Sequence, residues 1–118
     1  MIETARPPWS VNAYAEAYAL QAFRHMDALA ASRRFIQKER DRLSSQLNAI
    51  GFSCYPSSVN YLLIETGRNA TAFSSHLEPY GILVRDCTSF GLPTCIRVAV
   101  RTREENQILI EALSSCMH

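Results

Sequence analysis

The spacing of apolar residues changes at Gly51, and this change constrains the fold more than any other feature of the sequence. Before Gly51, apolar residues at positions 36, 43, 47 and 50 follow one another at helical steps, which places them on one face of a helix. After Gly51, short β-branched and aromatic runs alternate with turn-forming residues. The sequence therefore predicts helices first, and then short strands mixed with helices.

The predicted order of elements is two helices, two strands, a helix, two strands and a final helix. An Ala-rich first helix opens at Ser10 or Asn12, with a break around positions 24–27 before the second. Thr102 and Glu105 form a capping-box pattern that starts the last helix. The other predicted elements are a helix over 27–50 ended by Gly51, strands over 52–55 and 59–64, a helix over 70–78, and strands over 82–85 and 95–100. We expect an α+β fold in which a long helix precedes a small, mostly antiparallel sheet with helices packed on one face.

Composition restricts the class of protein. The chain has 118 residues, 47% of them apolar, and a formal net charge of +1, which suits one globular domain and argues against a nucleic-acid partner. No run approaches the roughly 18 apolar residues that span a bilayer, and the N-terminus lacks the apolar core of a signal peptide. The prediction is a cytoplasmic protein with no membrane partner.

The remaining polar patterns favour structural roles. The four cysteines lack metal or redox spacing, so we expect small buried thiols and no metal site. The charged residues of the second helix indicate a solvated face, and a nucleic-acid patch is the weaker alternative. They are Arg33, Arg34, Lys38, Glu39, Arg40, Asp41 and Arg42. In the last helix, the predicted apolar face comprises Ile108, Leu109, Ala112 and Leu113.

Two arginines are the candidate site residues. Arg97 interrupts an apolar strand, and alternation places it on the side of Cys95 and Ala99. Arg85 ends the preceding strand. A planar guanidinium binds carboxylates and phosphates bidentately, so two arginines on adjacent strands would suit a ligand with two anionic ends. The structural alternatives are a surface pair of Arg85 with Asp86, and an Arg97 that bridges a buried carboxylate.

Three segments carry a resemblance to a known family. They are Arg6-Pro7-Pro8-Trp9-Ser10-Val11-Asn12, Gly81-Ile82-Leu83-Val84-Arg85-Asp86-Cys87 and Ile96-Arg97-Val98-Ala99-Val100-Arg101-Thr102-Arg103-Glu104-Glu105-Asn106. With Val59-Asn60-Tyr61-Leu62-Leu63, they resemble the C-terminal part of pyridoxal-phosphate enzymes of the aminotransferase class I/II superfamily. The nearest groups are the threonine-phosphate decarboxylases of cobalamin synthesis and the histidinol-phosphate aminotransferases, and the Pro-Pro-Trp segment favours the former.

The resemblance implies roles for both arginines. Arg97 would bind the α-carboxylate of an amino-acid phosphate substrate, and Arg85 would help to hold its distal phosphate or a neighbouring anion. The chain would then be the small substrate-binding domain of an enzyme that converts threonine phosphate to aminopropanol phosphate. The alternatives are the small domain of a histidinol-phosphate-type aminotransferase, or a free-standing anion-binding or regulatory module without catalysis.

The resemblance also bears on cofactor and partners. Full-length relatives would use pyridoxal 5'-phosphate, held by a lysine in a large domain. Lys38, the only lysine here, sits among other charged residues, so we expect no cofactor and no catalytic residue in this chain alone. Residues 1–26 would join the large domain, and residues 27–118 would form the small one. Exposed aromatic residues near the N-terminus, including Trp9, predict a homo-oligomer.

Overall fold

The computed structural model describes residues 11–116, which contain four α-helices and four strands. The helices are α1 (Ala13–Ala22), α2 (Met26–Ala49), α3 (Ala70–Leu77) and α4 (Arg103–Ser115). The strands are β1 (Ser53–Cys54), β2 (Tyr61–Glu65), β3 (Arg85–Asp86) and β4 (Cys95–Ala99). Short 3₁₀ helices cover Phe23–His25, Glu78–Tyr80 and Thr88–Phe90. The Pro-Pro-Trp segment and the predicted cap at Ser10 lie outside the described residues.

The described chain divides into two compact units, one ending at Arg33 and the other beginning at Arg34. In the first unit, Asn12 caps α1, because its side-chain oxygen accepts a hydrogen bond from the Ala15 N–H at 2.8 Å. No residue of α1 is buried, and Tyr14 and Tyr18 are 88% and 80% exposed. The predicted break before the second helix is the 3₁₀ turn Phe23–His25.

In the second unit the four strands form one antiparallel sheet in the order β1-β2-β4-β3. Leu62 and Ile64 of β2 lie opposite Val98 and Ile96 of β4, and all four are buried. The same core contains side chains from α2, α3 and α4, namely Leu43, Leu47, Phe73, Leu77, Leu109 and Leu113. The predicted α+β architecture, with helices on one face of an antiparallel sheet and a long helix before it, is confirmed.

Local signals also fix the ends of the two long helices. Gly51 follows α2 with a φ of 99°, a left-handed conformation that favours glycine. At the start of α4 the predicted capping box is present: the Thr102 side chain accepts from the Glu105 N–H at 3.4 Å, and the Glu105 carboxylate accepts from the Thr102 N–H at 3.3 Å. Both signals lie in short sequence segments, which is why the sequence predicts them.

The predicted strand over 82–85 is wrong in extent, since β3 contains only Arg85 and Asp86. The preceding chain turns at Gly81, whose φ is 72°, and the Ile82 N–H donates to the Leu77 carbonyl at 3.4 Å. Residue 82 therefore bonds to the end of α3 instead of to β4. A groove of about 610 Å³ lies between the segment around Ile82 and the neighbouring β4 and α4.

Two predictions about helix faces need correction. Glu39 was expected on a solvated face, but it is only 2% exposed. The reason is its spacing, because it lies one turn before Leu43 on the buried face of α2, where α4 supplies a partner for its charge. The predicted apolar face of α4 is wrong at one position, because Ile108 is 53% exposed. Ile110, which was not predicted on that face, is buried.

The cysteines match the prediction of small buried thiols at three positions, and Cys54 is half-buried. Desolvation raises the pKa of all four thiols, which lowers their reactivity. Residues 11–116 contain no group of three His, Cys, Asp or Glu side chains placed to hold a metal ion. Over the same range, no helix combines the length and apolar character needed to cross a membrane.

Candidate functional site: two arginines on the open face of the sheet

The register of β3 and β4 places Arg85 and Arg97 directly opposite each other. Residues that lie opposite in an antiparallel pair share a face, with Cβ atoms about 4.5–5.5 Å apart. Arg97 alternates with Ile96 and Val98, which are buried in the core, so both arginines lie on the sheet face away from the helices. The structure thus brings the two predicted site residues together on one surface.

Strand β2 supplies the remaining side chains of this face. Tyr61, Leu63 and Glu65 lie opposite Ala99, Arg97 and Cys95 in the register of the sheet. Alternation puts these residues on the same side as the two arginines, and Tyr61 is 40% exposed. We call this surface, defined by Tyr61, Leu63, Arg85 and Arg97, the arginine face.

Each guanidinium of the arginine face stacks on an aromatic ring. The guanidinium carbon of Arg97 lies 4.7 Å from the ring centre of Tyr61, and that of Arg85 lies 5.4 Å from the ring centre of Phe90. Phe90 belongs to the turn that joins β3 to β4, whereas Tyr61 lies opposite Ala99, further from that turn. The two guanidinium groups therefore contact rings at different positions along the strands.

Neither structural alternative for the arginines is found. Within residues 11–116, neither Arg85 nor Arg97 has a carboxylate oxygen within 4.0 Å. The carboxylate of Asp86 instead accepts from the Thr71 hydroxyl at 2.5 Å and from the Thr88 N–H at 2.7 Å, and these bonds lower its pKa. Within the described residues, the Arg85 guanidinium donates one hydrogen bond, to the Ser89 hydroxyl at 3.4 Å, besides its contact with the Phe90 ring.

The nearby carboxylate of Glu65 also forms its hydrogen bonds with groups other than the two arginines. It accepts from the Gly67 N–H and from the Thr94 hydroxyl, both at 2.9 Å, and the bond from Gly67 is the largest cause of its lowered pKa. Two like charges placed directly across an antiparallel pair destabilise it. An anion bound between Arg85 and Arg97 would remove that repulsion and complete their hydrogen bonds.

Sequence reasoning missed the two aromatic partners, Tyr61 and Phe90. Alternation along β2 buries Leu62 and Ile64 and therefore places Tyr61 on the opposite face of the sheet. This much could have been noticed from the sequence. Its position beside Arg97 depends on the register between β2 and β4, which are separated by some thirty residues of sequence. No local signal gives that register.

The described residues do not fit pyridoxal phosphate by themselves. Lys38, the only lysine, lines a groove of about 420 Å³ with Phe35, Thr102 and Arg103 in the helix layer. The arginine face lies on the other side of the sheet. Within the described residues, the arginine face therefore offers two guanidinium groups but no lysine amine that could bind the aldehyde of the cofactor.

Comparison with known proteins places the chain in a family. Residues 1–113 match the family described as aminotransferase class I and II. Histidinol-phosphate aminotransferase from Symbiobacterium thermophilum is 36% identical over 97% of this chain and 32% of its own length. Histidinol-phosphate aminotransferase 2 from Pseudomonas aeruginosa is 32% identical over 99% of this chain and 32% of its own length.

Solved structures agree with these relatives. Histidinol-phosphate aminotransferase from Clostridium acetobutylicum matches with a TM-score of 0.81 and 27% identity, over 98% of this chain and 36% of that protein. A decarboxylase from Sulfurospirillum multivorans matches with a TM-score of 0.79 and 32% identity, over 93% of this chain and 33% of that protein.

This chain belongs to the aminotransferase class I and II family. It spans about a third of the length of the curated relatives that it matches. The family implies pyridoxal phosphate as the cofactor of full-length relatives. The segment that this chain represents contains the arginine face.

Proposed function

We propose that this chain is the substrate-binding small domain of a pyridoxal-phosphate-dependent aminotransferase of the histidinol-phosphate type. In this proposal Arg97 binds a substrate carboxylate and Arg85 binds the distal phosphate. Residues 27–118 form the small domain, and residues 1–26 join it to a cofactor-bearing domain. The chain binds and orients the substrate but performs no chemistry alone.

The observation that carries the proposal is the cross-strand pair of arginines without a carboxylate partner in the described residues. A phosphate ester such as histidinol phosphate supplies one anion, and the amino acid or oxo acid that exchanges the amino group supplies a carboxylate. Both kinds of ligand are anionic at neutral pH, and arginine forks bind both.

A threonine-phosphate decarboxylase is the second candidate. It is favoured by the similarity to the Sulfurospirillum multivorans decarboxylase, whereas the curated relatives favour the histidinol-phosphate type. Threonine phosphate carries both a carboxylate and a phosphate, but histidinol phosphate carries only the phosphate. The two candidates therefore differ in how strongly the ligand should depend on Arg97.

The test is a calorimetric or NMR titration of the chain with O-phospho-L-threonine and with L-histidinol phosphate at constant ionic strength. Hydrogen bonds to charged groups contribute about 1.5–3 kcal/mol, so Arg97→Ala should weaken O-phospho-L-threonine binding by about 10- to 150-fold. Arg97→Lys should recover only part of this loss. Arg85→Ala should weaken both ligands, because both carry a phosphate.

Arg34→Ala is the matched control, since Arg34 is an exposed arginine of α2 and not part of the arginine face. It should leave both affinities unchanged. Tighter binding of L-histidinol phosphate than of O-phospho-L-threonine would favour the aminotransferase, and the reverse order would favour the decarboxylase. Binding that Arg85→Ala and Arg97→Ala weaken no more than Arg34→Ala would refute the proposal.

A further inference from the structure

The guanidinium of Arg97 lacks the support that usually fixes such a group. Within residues 11–116 it has no carboxylate within 4.0 Å, and its close side-chain contact is the stack on Tyr61 at 4.7 Å. An arginine side chain has many rotamers, and it loses conformational entropy when a bound ligand fixes one of them. A contact that already orders Arg97 before the ligand binds reduces that loss of entropy.

Tyr61 is well placed to provide this order. It is the first residue of β2 and pairs with Ala99 of β4, and its carbonyl accepts a hydrogen bond from the Ser57 hydroxyl at 2.6 Å, so its backbone is held on both sides. Its ring covers one face of the guanidinium, and stacking leaves the N–H groups at the edge of that plane free to donate. The ring therefore fixes the orientation of the plane without using the donors.

Arg85 is held differently. It lies on β3, a two-residue strand at the edge of the sheet, and its ring contact with Phe90 is longer, at 5.4 Å. Phe90 belongs to a 3₁₀ turn and not to a strand. Of the two arginines, Arg97 is thus the one with a partner inside the sheet.

From these contacts we infer that Tyr61 is a positioning residue, whose ring fixes the guanidinium plane of Arg97 for bidentate binding of a carboxylate. The inference rests on the proposed function, in which Arg97 binds that carboxylate. The ring and not the hydroxyl carries the role. Tyr61→Phe should therefore preserve it, and variants without a ring should lose it.

The test uses the 118-residue chain with ¹⁵N-labelled arginine, and O-phospho-L-threonine as the probe. In the free chain we expect the ring current of Tyr61 to shift the Arg97 Nε–Hε resonance upfield; Tyr61→Phe should keep this shift and Tyr61→Leu should remove it. Cation–π contacts of this kind correspond to about a 2- to 30-fold change in affinity. We expect Tyr61→Leu to weaken the probe within that range and Tyr61→Phe to bind within twofold of wild type.

Two further variants separate positioning from folding. Tyr61→Val also removes the ring and introduces a β-branched side chain suited to a strand, so it should reproduce the effect of Tyr61→Leu. Tyr55→Leu removes another exposed tyrosine, which follows β1 and is not part of the arginine face, and should not change the affinity. Urea midpoints measured in parallel identify any variant whose sheet has been lost.

The outcomes distinguish this inference from the proposed function. Wild-type affinity in both ringless variants, together with lost binding in Arg97→Ala, would overturn the positioning role and leave the proposed function standing. Equal weakening by Tyr61→Phe and Tyr61→Leu would also overturn it, because the hydroxyl would then be responsible. Normal binding in Arg97→Ala would refute the proposed function itself.

Discussion

Replacing Arg103 by alanine should destabilise the chain far more than replacing Arg101, although both arginines form similar ion pairs. Arg103 Nη2 lies 2.9 Å from Glu39 Oε1, and Arg101 Nη2 lies 2.7 Å from Glu105 Oε1. The pairs differ in the burial of the carboxylate, because the Glu39 side chain is 2% exposed and that of Glu105 is 43% exposed. Arg103→Ala leaves a buried charge, whereas Arg101→Ala leaves a charge that water can solvate.

The size of the effect follows from the remaining partners of Glu39. Removing one partner of a buried ion pair costs about 3–5 kcal/mol. In Arg103→Ala, Arg42 Nε would still lie 3.6 Å from the second carboxylate oxygen of Glu39, and Asn106 Nδ2 would still lie 3.5 Å from the same oxygen. We therefore expect a cost at the lower end of that range, about 3 kcal/mol. Asn106 also bonds the N–H and carbonyl of Arg101, which connects this cluster to the end of β4.

Urea denaturation followed by far-UV circular dichroism measures the difference. Small proteins have m-values of about 1–3 kcal/mol per molar urea, so a loss of about 3 kcal/mol moves the midpoint by about 1 M or more. Arg101→Ala, the matched control, should shift it much less. Equal midpoints for the two variants would show that the buried carboxylate does not depend on Arg103, and the argument from burial would be wrong.

Three further predictions concern acid stability, the lysine and the first helix. The hydrogen bond from Arg103 lowers the pKa of Glu39 from its ordinary value of 4.5, so its stabilising contribution is present above pH 4.5 and is lost as the pH falls. The stability gap between wild type and Arg103→Ala should therefore shrink below that pH, and a gap that widens in acid would contradict the assignment. Equimolar pyridoxal phosphate followed by borohydride should leave no stoichiometric adduct on Lys38, which mass spectrometry tests directly. Because α1 buries none of its residues, sedimentation velocity should show self-association, and a strict monomer with strongly protected amides over 13–25 would refute this.

The sequence predicts most of the fold because its strongest signals are local. The period of Leu43 and Leu47, the left-handed Gly51 and the Thr102–Glu105 capping box each lie within a few residues of the structure that they specify. The same locality explains the errors. The sequence around Glu39 shows only a charge run, since the partner that makes its burial favourable lies 64 residues away.

The candidate site is predictable only in part for the same reason. Arg97 stands out because it breaks an apolar strand, and Arg85 because it ends one. Their direct opposition depends on the register of β3 and β4, and the stacking of Arg97 depends on Tyr61 of β2. Residue types therefore indicate which side chains could bind an anion, but only the pairing of the strands places them next to each other.

The central claim, that Arg85 and Arg97 belong to one anion-binding site, is tested most directly by the arginine Nε–Hε resonances during a titration with O-phospho-L-threonine, which carries both kinds of anion. The resonances of Arg85 and Arg97 should shift with the same saturation curve and the same dissociation constant, while that of Arg34 stays in place at constant ionic strength. Unsaturable drifts shared by all arginines, or saturation of Arg85 and Arg97 at different concentrations, would contradict a single two-arginine site.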